Sequence, residues 1–227
     1  MKLLAIETAT EACSVALYLD GEVREVFRLA PREHARLVLG MADGLLAEAA
    51  VNPAQLDAVA FGRGPGAFTG VRIATSVVQG IAFATELPVV PVSTLAALAQ
   101  GGCREFGWQR IATAIDARMD EVYWGAYACV DGLVQTQQEE RVCPAGEVPL
   151  LEGEGWHGVG SGWNAYEDEL KGRLDSAVID SCGDCLPHAQ DVARLAVAAF
   201  DRGEAVSAEK ALPIYLRDQV VHRPAAK

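Results

Sequence analysis

The chain has 227 residues, of which 51% are hydrophobic and 22% charged, a composition typical of one large globular domain or two smaller lobes with a sizeable core. A formal net charge of −12 argues against strong nucleic-acid binding by the chain alone, because binding to phosphates usually requires a basic surface. No apolar run reaches the roughly 18 residues of a membrane span, and no signal peptide is evident. We therefore expect a cytoplasmic protein whose six cysteines are reduced.

The first hundred residues predict strands that alternate with helices. Apolar or alternating runs predict the strands, and Asp20-Gly21 predicts a hairpin turn between the second and the third. Apolar residues at helical spacing predict two long helices, the second of them apolar on most faces. The predicted elements are strands at 3–6, 13–19 and 23–29, a helix between Pro31 and Asn52, a strand at 56–61, a helix at 71–84, a strand at 89–92 and a helix at 93–99 that Gly101-Gly102 ends.

The second half repeats the beginning of the first. A strand at 111–115 ends on Asp116, a strand at 121–130 follows, and Asp131-Gly132 returns the chain through 133–142, much as the first strand ends on Glu7 before its own hairpin. This pattern predicts an internal duplication. The later elements are a loop into a strand at 153–163, a strand at 177–179, an amphipathic helix at 187–200 and a strand-like segment at 212–217. We predict an α/β protein with lobes at 1–106 and 107–217 and a tail at 218–227.

A glycine loop, Gly-Arg-Gly-Pro-Gly-Ala-Phe-Thr-Gly at residues 62–70, joins a predicted strand to the longest apolar helix. One interpretation is a phosphate or nucleotide cradle, since backbone N–H groups and the helix dipole would point the same way and Thr69 could cap the helix. The other is tight packing. No lysine is present for a P-loop, and the glycines do not fit the dinucleotide spacing. Both interpretations stay open, and the candidate phosphate residues are Gly64, Gly66, Thr69 and Gly70.

Metal and catalytic residues are not predicted. A paired-histidine metal site needs His-x-x-x-His, and the histidines at 34, 157, 188 and 222 offer no such pair. We interpret His34 as a solvated helical residue, Glu7 as a capped strand end and Asp116 as a turn-forming acid, and a cation ligand is the other interpretation of the two acids. Cys182 and Cys185 provide too few ligands for a zinc site, and we interpret them as an incidental pair. A redox C-x-x-C would, however, occupy a similar place between a strand and a helix.

Four segments carry a resemblance to a known family. They are Leu-Ala-Ile-Glu-Thr-Ala-Thr-Glu-Ala-Cys-Ser-Val-Ala-Leu at 4–17, Gly-Pro-Gly-Ala-Phe-Thr-Gly-Val-Arg-Ile at 64–73, Asp-Ala-Arg-Met-Asp-Glu-Val-Tyr at 116–123 and Pro-Ile-Tyr-Leu-Arg at 213–217. Together they resemble the TsaB (YeaZ) family, whose members belong to the bacterial machinery that adds threonylcarbamoyl to the adenosine beside the tRNA anticodon. The resemblance implies the two-lobed, duplicated actin/hexokinase/Hsp70-like (ASKHA) fold, with mixed sheets flanked by helices.

The resemblance also implies the role and the partners. It implies a non-catalytic subunit without a cofactor that binds and activates TsaD, acts with the ATPase TsaE, contacts tRNA only indirectly and forms a homodimer when alone. A helix so apolar must be buried on most sides, either wholly inside its lobe or partly against a partner. The resemblance implies the partner, because the two long helices match those with which the family packs against TsaD. The residues expected at this interface are Leu37, Met41, Leu45, Val71, Val77, Val78 and Ile81.

Two alternatives come from other classes of protein. A small-molecule kinase or ATPase of the same superfold would need glycines in its first turn, whereas this chain has Glu-Thr-Ala-Thr at 7–10, and alanine would crowd a bound phosphate. A metallopeptidase would need the missing histidine pair. If the chain is neither a kinase nor a metallopeptidase, we expect the glycine loop to turn the chain and set the start of the following helix.

Overall fold

The structure is a computed structural model in which residues 1–217 are described. The predicted tail at 218–227 lies outside the described residues. A first mixed sheet has the strand order β3-β2-β1-β4-β5, and three helices are interspersed with its strands along the chain. Its strands are β1 (Lys2–Glu7), β2 (Ala12–Leu19), β3 (Glu22–Leu29), β4 (Ala58–Gly62) and β5 (Val89–Val92), and the helices are α1 (His34–Glu48), α2 (Phe68–Thr85) and α3 (Thr94–Phe106).

A second mixed sheet follows, with the strand order β10-β9-β6-β7-β8. Its strands are β6 (Arg110–Arg118), β7 (Glu121–Val130), β8 (Leu133–Pro144), β9 (Trp156–Val159) and β10 (Val178–Cys182). The helices of this half are α4 (Gly162–Ala165), α5 (Glu167–Leu174) and α6 (Ala189–Asp201). No helix within residues 1–217 is long and apolar enough to cross a membrane.

The two sheets have the same topology. In each, three consecutive strands pair antiparallel and two later strands add in parallel beside the first strand of the set. The hairpins β2–β3 and β7–β8 both turn on Asp-Gly with positive φ at both residues, 48° and 107° at Asp20-Gly21 and 52° and 80° at Asp131-Gly132, the backbone of a type I′ turn. The predicted duplication and the predicted α/β fold class are therefore confirmed.

Helices cover both faces of the first sheet. On one face α1 and α2 close an apolar core that includes Val38, Phe61 and Val78. On the other face α6 packs against β1 and β2, although it follows the second sheet in the chain. The second sheet packs against α4 and α5 on one face and α3 on the other. The division into lobes at residues 106 and 107 stays a prediction.

Three local predictions differ from the structure. Helix α3 runs through Gly101 and Gly102 and ends before Gly107, because both glycines are buried where α3 packs against neighbouring side chains, including Asp191. The strand predicted within 153–163 is β9, but the short helices α4 and α5 that follow it were not predicted. Residues 212–217 form no strand, although the backbone N–H of Ile214 donates to Arg63 O at 2.9 Å.

The prediction that all six cysteines are reduced is wrong for four of them. Helix α3 packs against β7 and brings the Cα atoms of Cys103 and Cys129 to 6.1 Å, within disulfide range, and the two are bonded. Cys182 and Cys185, with Cα atoms 5.6 Å apart, form a second disulfide. Cys13 and Cys143 are free.

Candidate functional site

The glycine loop packs directly onto the turn between β1 and β2. The backbone N–H of Ala67 donates to Ala9 O at 2.7 Å, and the Thr8 hydroxyl donates to Gly70 O at 2.7 Å. A Cβ on Gly66 would lie 2.5 Å from Ala9 O, and one on Gly70 would lie 2.0 Å from Thr8 O. Glycine is therefore required at both positions by backbone packing.

The candidate phosphate residues lie close together, but the three glycines among them already pack against protein backbone. Gly64 O accepts from the backbone N–H of Thr94 at 3.0 Å, and the positive φ of 93° at Gly64 suits glycine. Thr69 is exposed and does not cap α2, which begins at Phe68 with Ala67 as its N-cap residue, so the capping prediction is wrong. Phosphate binding at Gly64, Gly66, Thr69 and Gly70 stays a prediction.

Glu7 ends β1 beneath this loop and is fully buried. Its Oε1 accepts from the backbone N–H of Ala9 at 2.6 Å, and its Oε2 accepts from the Thr94 hydroxyl at 3.1 Å. Burial raises the pKa of Glu7 to about 7, against the opposing effect of these hydrogen bonds. The carboxyl group thus joins the turn, the strand end and the start of α3.

Asp116 occupies the corresponding place at the end of the first strand of the second sheet. Its Oδ1 accepts from the backbone N–H of Arg118 at 2.7 Å and from the Tyr166 hydroxyl at 3.2 Å. Its Oδ2 lies 2.8 Å from Arg118 Nη1. Asp116 therefore shapes its turn, as predicted. Within residues 1–217 no three His, Cys, Asp or Glu side chains are grouped so that they could hold a metal ion.

Two histidines lie in contacts that the sequence did not predict. His34 is buried rather than solvated, with Nε2 3.1 Å from Ala12 O, because the first turn of α1 packs against β2. His188 Nδ1 lies 3.0 Å from Glu25 Oε2, and its ring stacks on Phe27 at 4.2 Å. Burial lowers the pKa of His188, but the hydrogen bond and the charge of Glu25 outweigh burial and raise that pKa.

The predicted partner residues divide into two groups. Leu37, Val77 and Ile81 are half-buried along the seam between α1 and α2. The other four are buried in the core that α1 and α2 share with the first sheet, since they lie on the inward faces of the two helices; they are Met41, Leu45, Val71 and Val78. These four side chains cannot reach a partner while the core stays closed.

The surface that α2 offers to solvent consists of other residues. We call it the outer face of α2 and define it by Thr69, Arg72, Ser76, Gly80 and Phe83, all exposed. Phe83 is 82% exposed. A methyl group added at Gly80 would meet no atom within 4 Å, so a partner could approach the helix backbone closely there.

Both flanks of α2 are occupied. On one side α1 packs beside it and forms an open groove lined by Ala35, Ile73 and Val77 together with residues of the outer face. On the other side the C-terminal segment crosses it, with Gln79 Nε2 donating to Ala211 O at 2.9 Å. The rings of Phe68 and Tyr215 lie 5.9 Å apart on this side. The outer face is therefore the part of α2 that residues 1–217 leave uncovered.

Arg72 gives this surface its charge. Its guanidinium carbon lies 3.3 Å from the centroid of the Phe68 ring and 5.5 Å from that of Tyr215. No carboxylate forms an ion pair with Arg72 within the described part of the chain. The outer face thus combines the exposed ring of Phe83 with Arg72, whose guanidinium packs on the Phe68 ring beside the face.

The outer face of α2 follows from the spacing of the buried residues in the sequence. Val71, Ala74, Val78 and Ala82 are buried and form one stripe of α2. At 100° per residue, the positions opposite that stripe are those of the outer face. The predicted interface instead contained the most apolar residues, which are the residues that the core itself requires.

Comparisons with known proteins agree on one family. The family model described as TsaD: tRNA N6-adenosine threonylcarbamoyltransferase matches residues 26–222. The Escherichia coli tRNA threonylcarbamoyladenosine biosynthesis protein TsaB is 42% identical over 97% of this chain and 96% of its own length, and the Haemophilus influenzae TsaB is 38% identical over 97% and 95%. The solved structure of YeaZ from Pseudomonas aeruginosa has a TM-score of 0.88 and 49% identity, covering 95% of this chain and 99% of that chain.

Proposed function

The chain belongs to the TsaB (YeaZ) family, within the wider TsaD domain family, and we propose that it is the non-catalytic subunit that binds and activates TsaD. In this role it takes part in the synthesis of tRNA threonylcarbamoyladenosine, the process named for its relatives. TsaD transfers threonylcarbamoyl to the N6 of the adenosine beside the anticodon, and TsaE acts through the pair.

The outer face of α2 is the observation that carries this proposal. Residues 1–217 leave this helix face uncovered. It carries the exposed ring of Phe83, backbone at Gly80 that a partner can approach, and Arg72, whose guanidinium packs on the Phe68 ring. Interface centres are enriched in aromatic residues and arginine. We assign the TsaD contact to this face and to the groove beside α1, where Val77 and Ile81 line the seam. The same face would pair two copies when TsaD is absent.

The glycine loop supports a structural rather than a catalytic role. Its backbone fits against Thr8 and Ala9, and it sets the start of α2. The loop thereby fixes the helix that carries the proposed TsaD contact. The kinase alternative gains no support, since the first turn presents alanine where a phosphate would approach. The metallopeptidase alternative gains none because the sequence has no His-x-x-x-His pair. We propose a cytoplasmic location, where tRNA is modified, and indirect contact with tRNA.

Reconstitution tests the proposal. Purified TsaD, TsaE, threonylcarbamoyl-adenylate and unmodified tRNA are incubated with and without this chain, and modified adenosine is measured by mass spectrometry of the digested tRNA. We expect modification only when the chain is present, and no modification by the chain without TsaD. Full modification in its absence would contradict an activating role.

A further inference from the structure

A cavity of about 350 Å³ lies where the two halves of the chain meet. Phe27 of β3 lines one wall, and Leu98 and Phe106 of α3 line another, all three from the first half of the chain. The remaining wall is the segment of residues 182–188, which runs from the end of β10 to the start of α6. Cavities of this size at boundaries between domains are typical of small-molecule sites.

The Cys182–Cys185 disulfide forms part of that wall. Both cysteines are half-buried and line the cavity. The other disulfide differs in both respects, since Cys103 and Cys129 are only 9% and 8% exposed and lie 26 residues apart. A disulfide that closes a loop of about four residues removes less chain entropy than one that closes a long loop. The structure therefore contains one accessible, short-loop disulfide and one buried, long-loop disulfide.

We propose that Cys182 and Cys185 form a thiol–disulfide exchange site whose substrate is a small thiol, bound in the cavity between the two halves. Exchange requires that a thiolate reach a disulfide sulfur, and the cavity provides this approach. The site is independent of TsaD binding, because neither cysteine belongs to the outer face of α2.

The exchange takes place in two balanced steps. A thiolate RS⁻ forms a bond to Cys182 Sγ, the Cys182–Cys185 bond breaks, and its electron pair stays on Cys185 Sγ. A second RS⁻ then attacks the sulfur of R in the mixed disulfide, which releases RSSR and the Cys182 thiolate. The two protein thiolates take up two protons, so that two RSH are oxidised and one protein disulfide is reduced.

His188 favours Cys185 as the leaving sulfur. It follows Cys185 by three residues, lines the same cavity and is held by Glu25, which favours its imidazolium form. A nearby imidazolium stabilises a cysteine thiolate. The carboxylates of Asp184 and Glu105 also line the cavity; Asp184 accepts from Asn164 Nδ2 at 2.7 Å, and Glu105 pairs with Arg104 at 3.1 Å. A His188 imidazolium would thus favour thiolate formation in this cavity.

The rates of reduction of the two disulfides test the proposal in the full-length protein. Oxidised protein is mixed with reduced glutathione, quenched with acid at intervals, alkylated and digested, and the free thiols are located by mass spectrometry. We expect Cys182 and Cys185 to become reduced at least about tenfold faster than Cys103 and Cys129, because the rate of exchange follows access. Equal rates, or faster reduction of the buried pair, would overturn the proposal.

A variant with one cysteine traps the mixed disulfide. In C185S, oxidised glutathione should form a mixed disulfide with Cys182 and release one glutathione thiolate. Cys143, which is free and half-buried outside the cavity, is the internal control. Modification of Cys143 as fast as Cys182 contradicts a dedicated site.

A thiol carried on a large polymer should reduce wild-type Cys182–Cys185 several-fold more slowly than glutathione; equal rates would remove the role of the cavity.

Discussion

The carboxyl group of Glu7 lies against the α-carbon of Gly62, so closely that a Cβ on Gly62 would be 1.8 Å from Glu7 Oε2. Gly62 is the last residue of β4, and Glu7 is the last residue of β1, its parallel neighbour. The buried carboxyl group therefore depends on a glycine in the adjacent strand. This contact lies at the base of the glycine loop.

A methyl group at Gly62 has no space. We expect Gly62→Ala to reduce the free energy of unfolding by about 3 kcal/mol, since Glu7 must move and lose its hydrogen bonds or the strands must separate. Urea unfolding measures the change. Gly172→Ala is the matched control, because Gly172 lies in α5 with no atom within 4 Å of an added Cβ. This control should be neutral or stabilising by up to about 1 kcal/mol. Equal losses in both variants would contradict the steric explanation.

The titration of Glu7 should make stability depend on pH. Its pKa is about 7 in the folded chain and 4.5 as the ordinary value, so the folded state favours the protonated form. The stabilising contribution is therefore complete below pH 4.5 and is lost as the pH rises through 7. The difference corresponds to about 3 kcal/mol.

Glu7→Gln isolates this effect. Its amide oxygen can accept from the Ala9 N–H, and its NH₂ group can donate to Thr94. We expect the free energy of unfolding of wild type, relative to the variant, to fall between pH 4.5 and pH 7.5 in urea titrations. Parallel pH profiles for the two proteins would show that Glu7 does not titrate in this range.

The sequence predicted the architecture well because the duplicated signals are local. Asp20-Gly21 and Asp131-Gly132 each specify a turn that needs positive φ at both residues, and the strands around them follow from apolar runs. The predicted end of α3 at Gly101 and Gly102 is wrong because it depends on packing between residues far apart in the sequence. A glycine pair normally weakens a helix, but here the packing of α3 requires residues without side chains.

The partner surface stays a prediction, and the structure changes which residues it could contain. The sequence identified the glycine loop and the two helices, yet hydrophobicity alone selected Met41, Leu45, Val71 and Val78 for a partner when the core already needed them. The contact of the loop with Thr8 and Ala9 joins residues about 60 positions apart, so no local pattern contains it. The same holds for His34, which only the packing of α1 on β2 buries.

The ion pair between Arg104 and Asp191 joins α3 to α6 and should be strongly asymmetric. Arg104 Nε and Nη2 donate to the two oxygens of Asp191 at 2.8 and 2.9 Å. The Asp191 side chain is fully buried, whereas that of Arg104 is 22% exposed and also pairs with Glu105. Removing the arginine thus leaves a buried carboxylate alone, and removing the carboxylate leaves a cation with other partners.

We therefore expect Arg104→Met to cost about 3–5 kcal/mol of unfolding free energy at pH 7. Asp191→Asn keeps an oxygen that can accept from Arg104 and should cost about 1–2 kcal/mol. Chemical denaturation of both variants gives the comparison. A larger loss for Asp191→Asn than for Arg104→Met would contradict the explanation that the unpaired Asp191 carboxylate causes the greater loss of stability.

A charge on the outer face of α2 should separate association from folding. Val77 and Ile81 are poor positions for this test because they also pack against the core, so a charge there would disturb the helix itself. Ser76 is exposed at the centre of the outer face, and Ser76→Glu would bury a carboxylate against TsaD. We expect the Kd for TsaD to rise at least about tenfold, which corresponds to 1.4 kcal/mol, with the melting temperature unchanged.

Ser176→Glu makes the same substitution at an exposed serine before β10 and should bind TsaD as wild type does. Isothermal titration calorimetry with TsaD compares the three proteins, and wild-type affinity in Ser76→Glu would exclude this face as the contact.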